Sequence, residues 1–278
     1  ALGAMNAGMS GCYAYPGTPS TEIMEYVQAS QDAAARNIHR QWSANEKCAM
    51  EEAMGMSYAG RRVMVCMKHV GLNVAADGFV NAAITGTHGG LIVAVADDPG
   101  MHSSQNEQDS RFYADFAMVP CLEPSNQQEA YEMAGYGLEL SEKLQVPVLI
   151  RLTTRLSHSR GNIARGACRP ENPLSLAAER KRFVLLPSIA RSNFDRLIAR
   201  QPHFAEVAES SPYTRLIDGK DTSLGIVACG IAFNYLIENF GSVEQCPYPV
   251  LKLSHYPVPR GLLGTLVERC DRILFLEE

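Results

Sequence analysis

The chain has 278 residues, of which 46% are hydrophobic and 20% are charged; its net charge is −5 and its pI about 5.8. This composition is typical of a globular protein with a proper core, and it excludes the basic surface that nucleic acid or an anionic lipid headgroup would need. No apolar run approaches the roughly 18–20 residues of a membrane helix. We therefore expect neither nucleic-acid nor membrane partners.

In chain order, residues 1–160 alternate short apolar runs with longer helical stretches. The predicted strands are Gly11–Ala14, His39–Ser43, Arg62–Met67, Leu91–Ala96, Ala117–Cys121 and Val146–Leu152. The predicted helices are Pro19–Gln28, Asn45–Gly60, one from about Asn73, and Gln127–Lys143. Continuous apolar strands that alternate with helices predict an α/β fold with a doubly wound parallel sheet, whose ligands bind at the carboxyl ends of the strands.

Residues 161–221 are rich in polar residues, glycine and proline at first, and they predict a linker that carries a helix over Ser188–Glu209. Residues 222–278 predict a second, smaller α/β unit. The chain opens on what reads as the inside of a helix and closes on a strand, so we expect it to be part of a longer subunit. The eight cysteines are widely spaced, which predicts neither a disulfide framework nor a zinc or iron–sulfur ligand set and favours a reducing cytoplasm.

Two helix starts follow predicted strands. Thr18 is placed as an N-cap with Pro19 at the first helical position, and such a helix start attracts anions. Glu46 lies three residues after Ser43, which is the spacing of a capping box. Both are explained by capping alone, but both also lie where a ligand of the sheet would bind.

Two further loops carry candidates for chemistry. In the predicted loop Lys68–Asn73, Gly71 permits a tight turn or the close approach of a ligand, and His69 is either a proton shuttle or simply solvated. The long polar loop after the fourth strand ends near Arg111, which is either a receptor for a substrate carboxylate or an ordinary surface arginine.

Five motifs together resemble the large subunits of indolepyruvate ferredoxin oxidoreductases, within the 2-oxoacid:ferredoxin oxidoreductase family. They are Tyr-Pro-Gly-Thr-Pro-Ser-Thr-Glu-Ile at 15–23, Asn-Glu-Lys-Cys-Ala-Met-Glu at 45–51, Met-Lys-His-Val-Gly-Leu-Asn-Val-Ala-Ala-Asp at 67–77, Ala-Asp-Asp-Pro-Gly-Met-His-Ser-Ser-Gln-Asn-Glu-Gln-Asp at 96–109, and Leu-Thr-Thr-Arg-Leu-Ser-His-Ser-Arg-Gly at 152–161. The resemblance covers essentially the whole chain, and residues 222–278 are similar to that family's transketolase-C-terminal-like domain.

The resemblance implies that residues 1–160 are the pyrimidine-binding domain of a thiamine diphosphate enzyme. Glu46 would then hydrogen-bond to N1′ of the aminopyrimidine and so promote loss of the thiazolium C2 proton. Thr18 would face the substrate carboxylate or the cofactor, and Arg111 would do likewise. His69 and Gly71 would line the cofactor pocket.

The resemblance also implies partners. The diphosphate-binding domain, with its Mg²⁺, and a [4Fe-4S] region would lie outside these residues, in the rest of the subunit or in another chain. A smaller subunit, ferredoxin and coenzyme A would complete the enzyme as a homo- or hetero-oligomer. Two alternatives stay open: a scaffold acting on pyruvate or another 2-oxoacid, and a non-catalytic assembly module of such a complex.

Overall fold

A computed structural model describes residues 1–278 in full. The helices are α1 (Leu2–Asn6), α2 (Thr21–Ala29), α3 (Gln31–Ala35), α4 (Glu46–Tyr58), α5 (His69–Thr85), α6 (Arg111–Ala117), α7 (Gln127–Leu144), α8 (Thr154–His158), α9 (Pro187–Glu209), α10 (Ala232–Phe240) and α11 (Arg260–Arg269). The strands are β1 (Gly11–Ala14), β2 (His39–Trp42), β3 (Val63–Lys68), β4 (Leu91–Asp97), β5 (Cys121–Leu122), β6 (Val148–Thr153), β7 (Arg215–Ile217), β8 (Gly225–Cys229), β9 (Val250–Leu253), β10 (His255–Tyr256) and β11 (Ile273–Leu276). Short 3-10 helices span Arg180–Phe183 and Val243–Gln245. None of the helices combines the length and the apolar character that a membrane crossing requires.

The larger sheet has seven strands in the order β10-β5-β6-β4-β3-β1-β2. Six of these strands run parallel, and β10 alone is antiparallel to its neighbour β5. Every residue of the central strands β3 and β4 is buried, because helices cover both faces of the sheet. The predicted α/β class with a parallel sheet is confirmed.

The direction of the crossovers explains why both faces are covered. From β1 the chain moves to β2 at one edge, and from β2 it returns past β1 to β3 and on to β4. Right-handed crossovers that run in opposite directions place their helices on opposite faces of the sheet. Accordingly α4 packs on α5 and α5 on α9, while α1 packs on α7. The direction reverses between β1 and β3, so this is the topological switch point of the sheet.

The smaller sheet has four strands in the order β11-β8-β9-β7. β8, β9 and β11 run parallel, and β7 is antiparallel to β9. Only Ser254 separates β9 from β10, so the chain passes directly from the smaller sheet to the edge of the larger one. The two units are therefore docked at the β5 edge.

Two predicted elements after β3 differ from those observed. α5 begins at His69 rather than at about Asn73, so the segment after β3 is the first turn of a helix and not a loop. The strand predicted over Ala117–Cys121 is reduced to Cys121–Leu122, because Arg111–Ala117 forms α6.

The segment 161–221, predicted as a linker with a helix, packs into both units. α9 contributes Leu197, Phe204 and Val207 to the core of the larger unit. β7 is an edge strand of the smaller sheet. The domain limits at residues 160 and 221 stay a prediction.

His255, on β10, is a buried histidine where the two units meet. Its side chain is fully buried, and neither ring nitrogen has a hydrogen-bond partner. Because burial disfavours the charged imidazolium, it lowers the pKa of His255 to about 4. The folded chain therefore holds this ring neutral well below the pH at which an exposed histidine is protonated.

We predict that His255 makes the chain less stable in acid. The unfolded chain takes up a proton at this residue below about pH 6.5, whereas the folded chain does so only near pH 4. Since the unfolded state binds more protons between these two values, the free energy of unfolding falls as the pH drops through this window, by about 3 kcal/mol at roughly pH 4. Urea unfolding followed by circular dichroism across this range measures the slope.

The variant His255→Leu should flatten this part of the pH dependence, because it removes the titrating ring. The matched control His203→Gln, at an exposed position of α9, should keep the wild-type slope. Equal slopes for wild type and His255→Leu would show that another group is responsible.

Candidate active site

Three strands end at the switch point of the larger sheet and bring their following residues together. The turn 15–20 follows β1, Lys68 ends β3, and Asp97 ends β4. β3 pairs with both β1 and β4, so these ends are neighbours in space. Open parallel sheets bind their ligands in the crevice at this position.

Glu46 does not cap helix α4. Asn45 is the N-cap, and its side chain accepts a hydrogen bond from the backbone N–H of Cys48 at 2.9 Å. The Ser43 hydroxyl donates instead to Glu52, at 2.5 Å. The capping box predicted from Ser43 and Glu46 is therefore wrong, because each side chain of that pair is directed elsewhere.

The carboxylate of Glu46 rests against Gly71 in the first turn of α5. A Cβ atom at position 71 would lie 2.5 Å from Glu46 Oε1 and 2.7 Å from its Cγ, so only glycine leaves room for this side chain. Glu46 is half-buried and has neither a hydrogen-bond partner nor an ion-pair partner in the protein. Gly71 thus matters for a close contact rather than for a tight turn, and the carboxylate it accommodates is available to a ligand.

Thr18 lies in the turn before α2 and is not its N-cap, which corrects the predicted helix start. The helix begins at Thr21, whose Oγ1 accepts a hydrogen bond from the Gly17 N–H at 2.9 Å. Thr18 itself is exposed and has no hydrogen-bond partner. A Cβ atom at Gly17 would lie 3.1 Å from the Cβ of Lys68, so the turn packs directly on the end of β3.

His69 is almost fully buried and fastens the long loop after β4. Its Nδ1 accepts from the backbone N–H of Val70 at 2.9 Å, and its Nε2 lies 3.2 Å from the carbonyl oxygen of Asn106. Because a carbonyl can only accept, the proton is assigned to Nε2. Both nitrogens are engaged within the protein, so the pairing gives no support to a proton shuttle. That His69 lines a cofactor pocket stays a prediction.

Asp98 fastens the same loop at its start. Its carboxylate accepts from the Ser103 N–H at 2.7 Å, the Ser104 hydroxyl at 2.5 Å and the Thr154 hydroxyl at 2.6 Å. Burial opposes ionisation, but these hydrogen bonds and the charge of Lys68 together hold the pKa of Asp98 well below its usual range. Asp98 is therefore an ionised structural group.

Arg111, at the start of α6, is already neutralised. It donates to both carboxylate oxygens of Asp109 at 2.6–2.9 Å, to the Tyr256 hydroxyl at 3.1 Å and to Glu277 at 3.0 Å. An incoming carboxylate would have to displace one of these partners. The geometry therefore does not support Arg111 as the receptor for a substrate carboxylate.

A buried ion-pair cluster that sequence reasoning missed lies next to this loop. Arg151 of β6 has 3% of its side chain exposed; its Nε donates to Asp97 at 2.6 Å and its Nη1 donates to Glu123. Burial raises the pKa of Asp97 although Arg151 lies beside it. Asp97 also accepts from the Ser110 N–H at 2.9 Å. A single arginine in the otherwise apolar run of β6 was the available signal.

A second buried ion pair, also missed, joins the two units. Lys252 of β9 is buried and donates to Glu129 of α7. Asn234 donates to the carbonyl oxygen of Ser125 at 2.6 Å. The smaller unit is thus held to the larger one by buried polar contacts, and the lysine within the apolar strand β9 was the signal for it.

Two sizeable cavities are lined by Arg111 but by none of the other residues predicted to bind ligands. One of about 480 Å³ lies between α6, α9 and the residues after β10. Another of about 500 Å³ lies against Arg151 and Glu277. Thr18, Glu46 and Gly71 lie outside both cavities; Thr18 is exposed, Glu46 is half-buried and Gly71 is buried.

Comparisons with known proteins agree with this architecture. A family profile described as pyruvate flavodoxin/ferredoxin oxidoreductase, thiamine diphosphate-binding, matches residues 2–207. The indolepyruvate oxidoreductase subunit IorA of Thermococcus kodakarensis is 39% identical over 285 residues, which are 100% of this chain and 44% of that protein. The IorA subunit of Methanothermobacter marburgensis is 41% identical over 278 residues, 99% of this chain and 44% of that protein. The chain thus spans less than half the length of these relatives.

Two solved structures share the fold. The 2-oxoglutarate:ferredoxin oxidoreductase from Magnetococcus marinus superposes with a TM-score of 0.73 at 16% identity, covering 99% of this chain and 55% of that one. A split-gene transketolase superposes with a TM-score of 0.56 at 14% identity, covering 97% of this chain and 73% of that one. At these identities the likeness concerns the fold alone.

The buried charges of the Arg151 cluster lead to a prediction about stability. Arg151→Met should lower the free energy of unfolding by about 3–5 kcal/mol, because it leaves Asp97 buried without a counter-charge and Glu123 with only the longer contact to Arg111, at 3.7 Å. The control Arg165→Met breaks only an exposed pair with Asp32 and should cost at most about 1 kcal/mol. Chemical denaturation of the three proteins measures the difference, and similar losses for both variants would contradict the role given to the cluster.

Proposed function

The chain belongs to the thiamine diphosphate-binding family of the pyruvate flavodoxin/ferredoxin oxidoreductases, and from this membership we propose that it is the pyrimidine-side half of an enzyme that oxidatively decarboxylates indolepyruvate. The reaction would convert the 2-oxoacid and coenzyme A into acyl-CoA and carbon dioxide, with ferredoxin as electron acceptor. The observation that carries the proposal is the unpartnered carboxylate of Glu46 against Gly71 at the switch point of the sheet.

The residues at this edge fit thiamine diphosphate. Glu46 would hold the aminopyrimidine ring, since its carboxyl group is half-buried, lacks a partner in the protein and occupies the space that Gly71 leaves. When bound, the cofactor supplies a thiazolium carbon that adds to the carbonyl group of a 2-oxoacid. Glu46 would share a proton with N1′ of the pyrimidine ring, and a carboxyl group is well suited to this acid–base role.

Indolepyruvate is the favoured substrate because the similar subunits from Thermococcus kodakarensis and Methanothermobacter marburgensis carry that substrate in their names. Pyruvate or another 2-oxoacid is the alternative within the same scaffold, because substrate choice depends on pocket side chains and not on the fold. Comparing initial rates for indolepyruvate and pyruvate with the assembled enzyme separates the two.

We further propose that the site is completed by a diphosphate-binding domain, in the rest of the subunit or in another chain. Thr18 and Glu46 lie at an open edge rather than in an enclosed cavity, and this favours closure by a second surface. Mg²⁺ and the [4Fe-4S] clusters would belong to those other parts. A smaller subunit, ferredoxin and coenzyme A complete the set of partners.

Glu46→Gln tests the catalytic assignment. In the assembled holoenzyme we expect kcat for indolepyruvate to fall by at least about 100-fold, because glutamine cannot share the proton. The control Glu51→Gln, at an exposed position of the same helix, should keep the wild-type rate. An unchanged rate for Glu46→Gln would leave the chain as a non-catalytic assembly module.

Gly71→Ala tests the geometry around Glu46. The added methyl group would lie 2.5 Å from Glu46 Oε1 and force the carboxylate to shift. We therefore expect weaker thiamine diphosphate binding and a kcat reduced by about 10-fold or more. Alanine favours a helix by up to about 1 kcal/mol over glycine, so stability should be kept. Gly55→Ala is the control, because a Cβ at position 55 of α4 would meet no atom within 4 Å. If both variants bind cofactor like wild type, the close contact has no functional role.

A further inference from the structure

The protein buries two lysines, and only one of them is paired. Lys252 is 2% exposed and forms an ion pair with Glu129. Lys68 is 8% exposed, and its ammonium group donates only to the carbonyl oxygen of Ser103, at 2.6 Å, without any ion pair. A buried ammonium is unfavourable unless a counter-charge compensates the water it has lost. Lys68 therefore lacks the compensation that Lys252 has.

Asp98 is the nearby negative charge, but it does not close the pair. Its oxygens accept hydrogen bonds from Ser103, Ser104 and Thr154, and its effect on Lys68 is that of a charge beyond ion-pair distance. An ammonium group has three N–H donors, and Ser103 takes one of them. Donors thus remain for an anion that is not part of this chain.

Lys68 lies at the centre of the candidate site. It ends β3 at the switch point, and its Cβ packs on Gly17, next to the exposed and unpartnered Thr18. On its other side, the following turn of α5 carries Gly71, against which the Glu46 carboxylate rests. A cation, a hydroxyl and the cofactor-facing carboxylate therefore share one edge.

We propose that Lys68 is the receptor for the carboxylate group of the 2-oxoacid substrate, with the Thr18 hydroxyl as its second donor; this rests on the proposed function. Lys68 would thus bind the carboxylate that the sequence had assigned to Arg111. The guanidinium of Arg111 is instead neutralised by Asp109 and Glu277. The hydrogen bond from Lys68 to Ser103 also ties the loop after β4 to the same cation.

Steady-state kinetics of the holoenzyme test the proposal. Lys68→Met should raise KM for indolepyruvate by about 10- to 100-fold, the effect of losing a hydrogen bond to a charged group, while the dissociation constant for thiamine diphosphate changes by less than about 3-fold. Lys68→Arg, which keeps the charge, should recover part of the affinity. Lys252→Met removes the other buried lysine and should lower stability without raising KM.

Thr18→Val keeps the test decisive if Lys68→Met does not fold. Thr18 is exposed, so the substitution removes a hydroxyl without disturbing the core, and KM should rise by about 5- to 10-fold. A lower kcat or weaker cofactor binding with unchanged KM in the variants of either residue would show that they only support the loop, and would overturn the inference.

Activity of the wild-type holoenzyme distinguishes a failure of the proposed function from a failure of the inference about Lys68. If the wild-type holoenzyme oxidises a different 2-oxoacid, the same KM comparison applies to that acid, because the carboxylate is common to all of them. If it oxidises no 2-oxoacid, the proposed function itself is wrong before any variant is compared, and the inference about Lys68 is overturned with it.

Discussion

The arrangement of the strand ends depends on the buried guanidinium of Arg151. It lies between Asp97 at the end of β4 and Glu123 after β5. Without it Asp97 would be buried with no counter-charge, and Glu123 would keep only Arg111, at 3.7 Å. Asp97 in turn holds Ser110 at the far end of the long loop. Glu123 packs against Gly230 of the smaller unit, where a Cβ atom would lie 2.5 Å from its Cγ. One ion-pair cluster thus fixes both the loop beside the site and the docking of the second unit.

The charged side chains that have carboxylate partners and those that have none lie at different places in the fold. Arg151, Arg111 and Lys252 all have carboxylate partners, so their charges are compensated within the chain. Glu46 and Lys68 have none, and both lie at the topological switch point. A charged group without a partner is unfavourable at this position until a ligand supplies one. The unpartnered groups therefore indicate where a ligand would bind. This agrees with a site whose second half is supplied by another domain.

Much of the fold could be predicted because buried parallel strands are continuous apolar runs. Glu46 and Gly71 could be singled out by their place after predicted strands, although the reason for the glycine is a side-chain contact and not a turn. The short strand β10 and the ion pairs of Arg151 and Lys252 could not be predicted, because their partners lie on other elements far along the chain. Asp97 and Glu123 are 54 and 28 residues from Arg151, Glu129 is 123 residues from Lys252, and β10 pairs with β5. A lone charge in an apolar strand indicates a partner but does not identify it.

The sequence by itself determined the α/β class, the order of the main elements and the family, since these follow from local periodicity and from motifs. Only the tertiary structure decided what each polar side chain does. The spacing of Ser43 and Glu46 satisfies a capping box, yet Asn45 caps the helix and Glu46 stays free for a ligand. In the sequence Arg111 looks like an unpaired cation, but in the structure it forms ion pairs with Asp109 and Glu277. Hydrogen bonds and ion pairs are decided by which groups meet in space, and spacing along the chain cannot choose between competing partners.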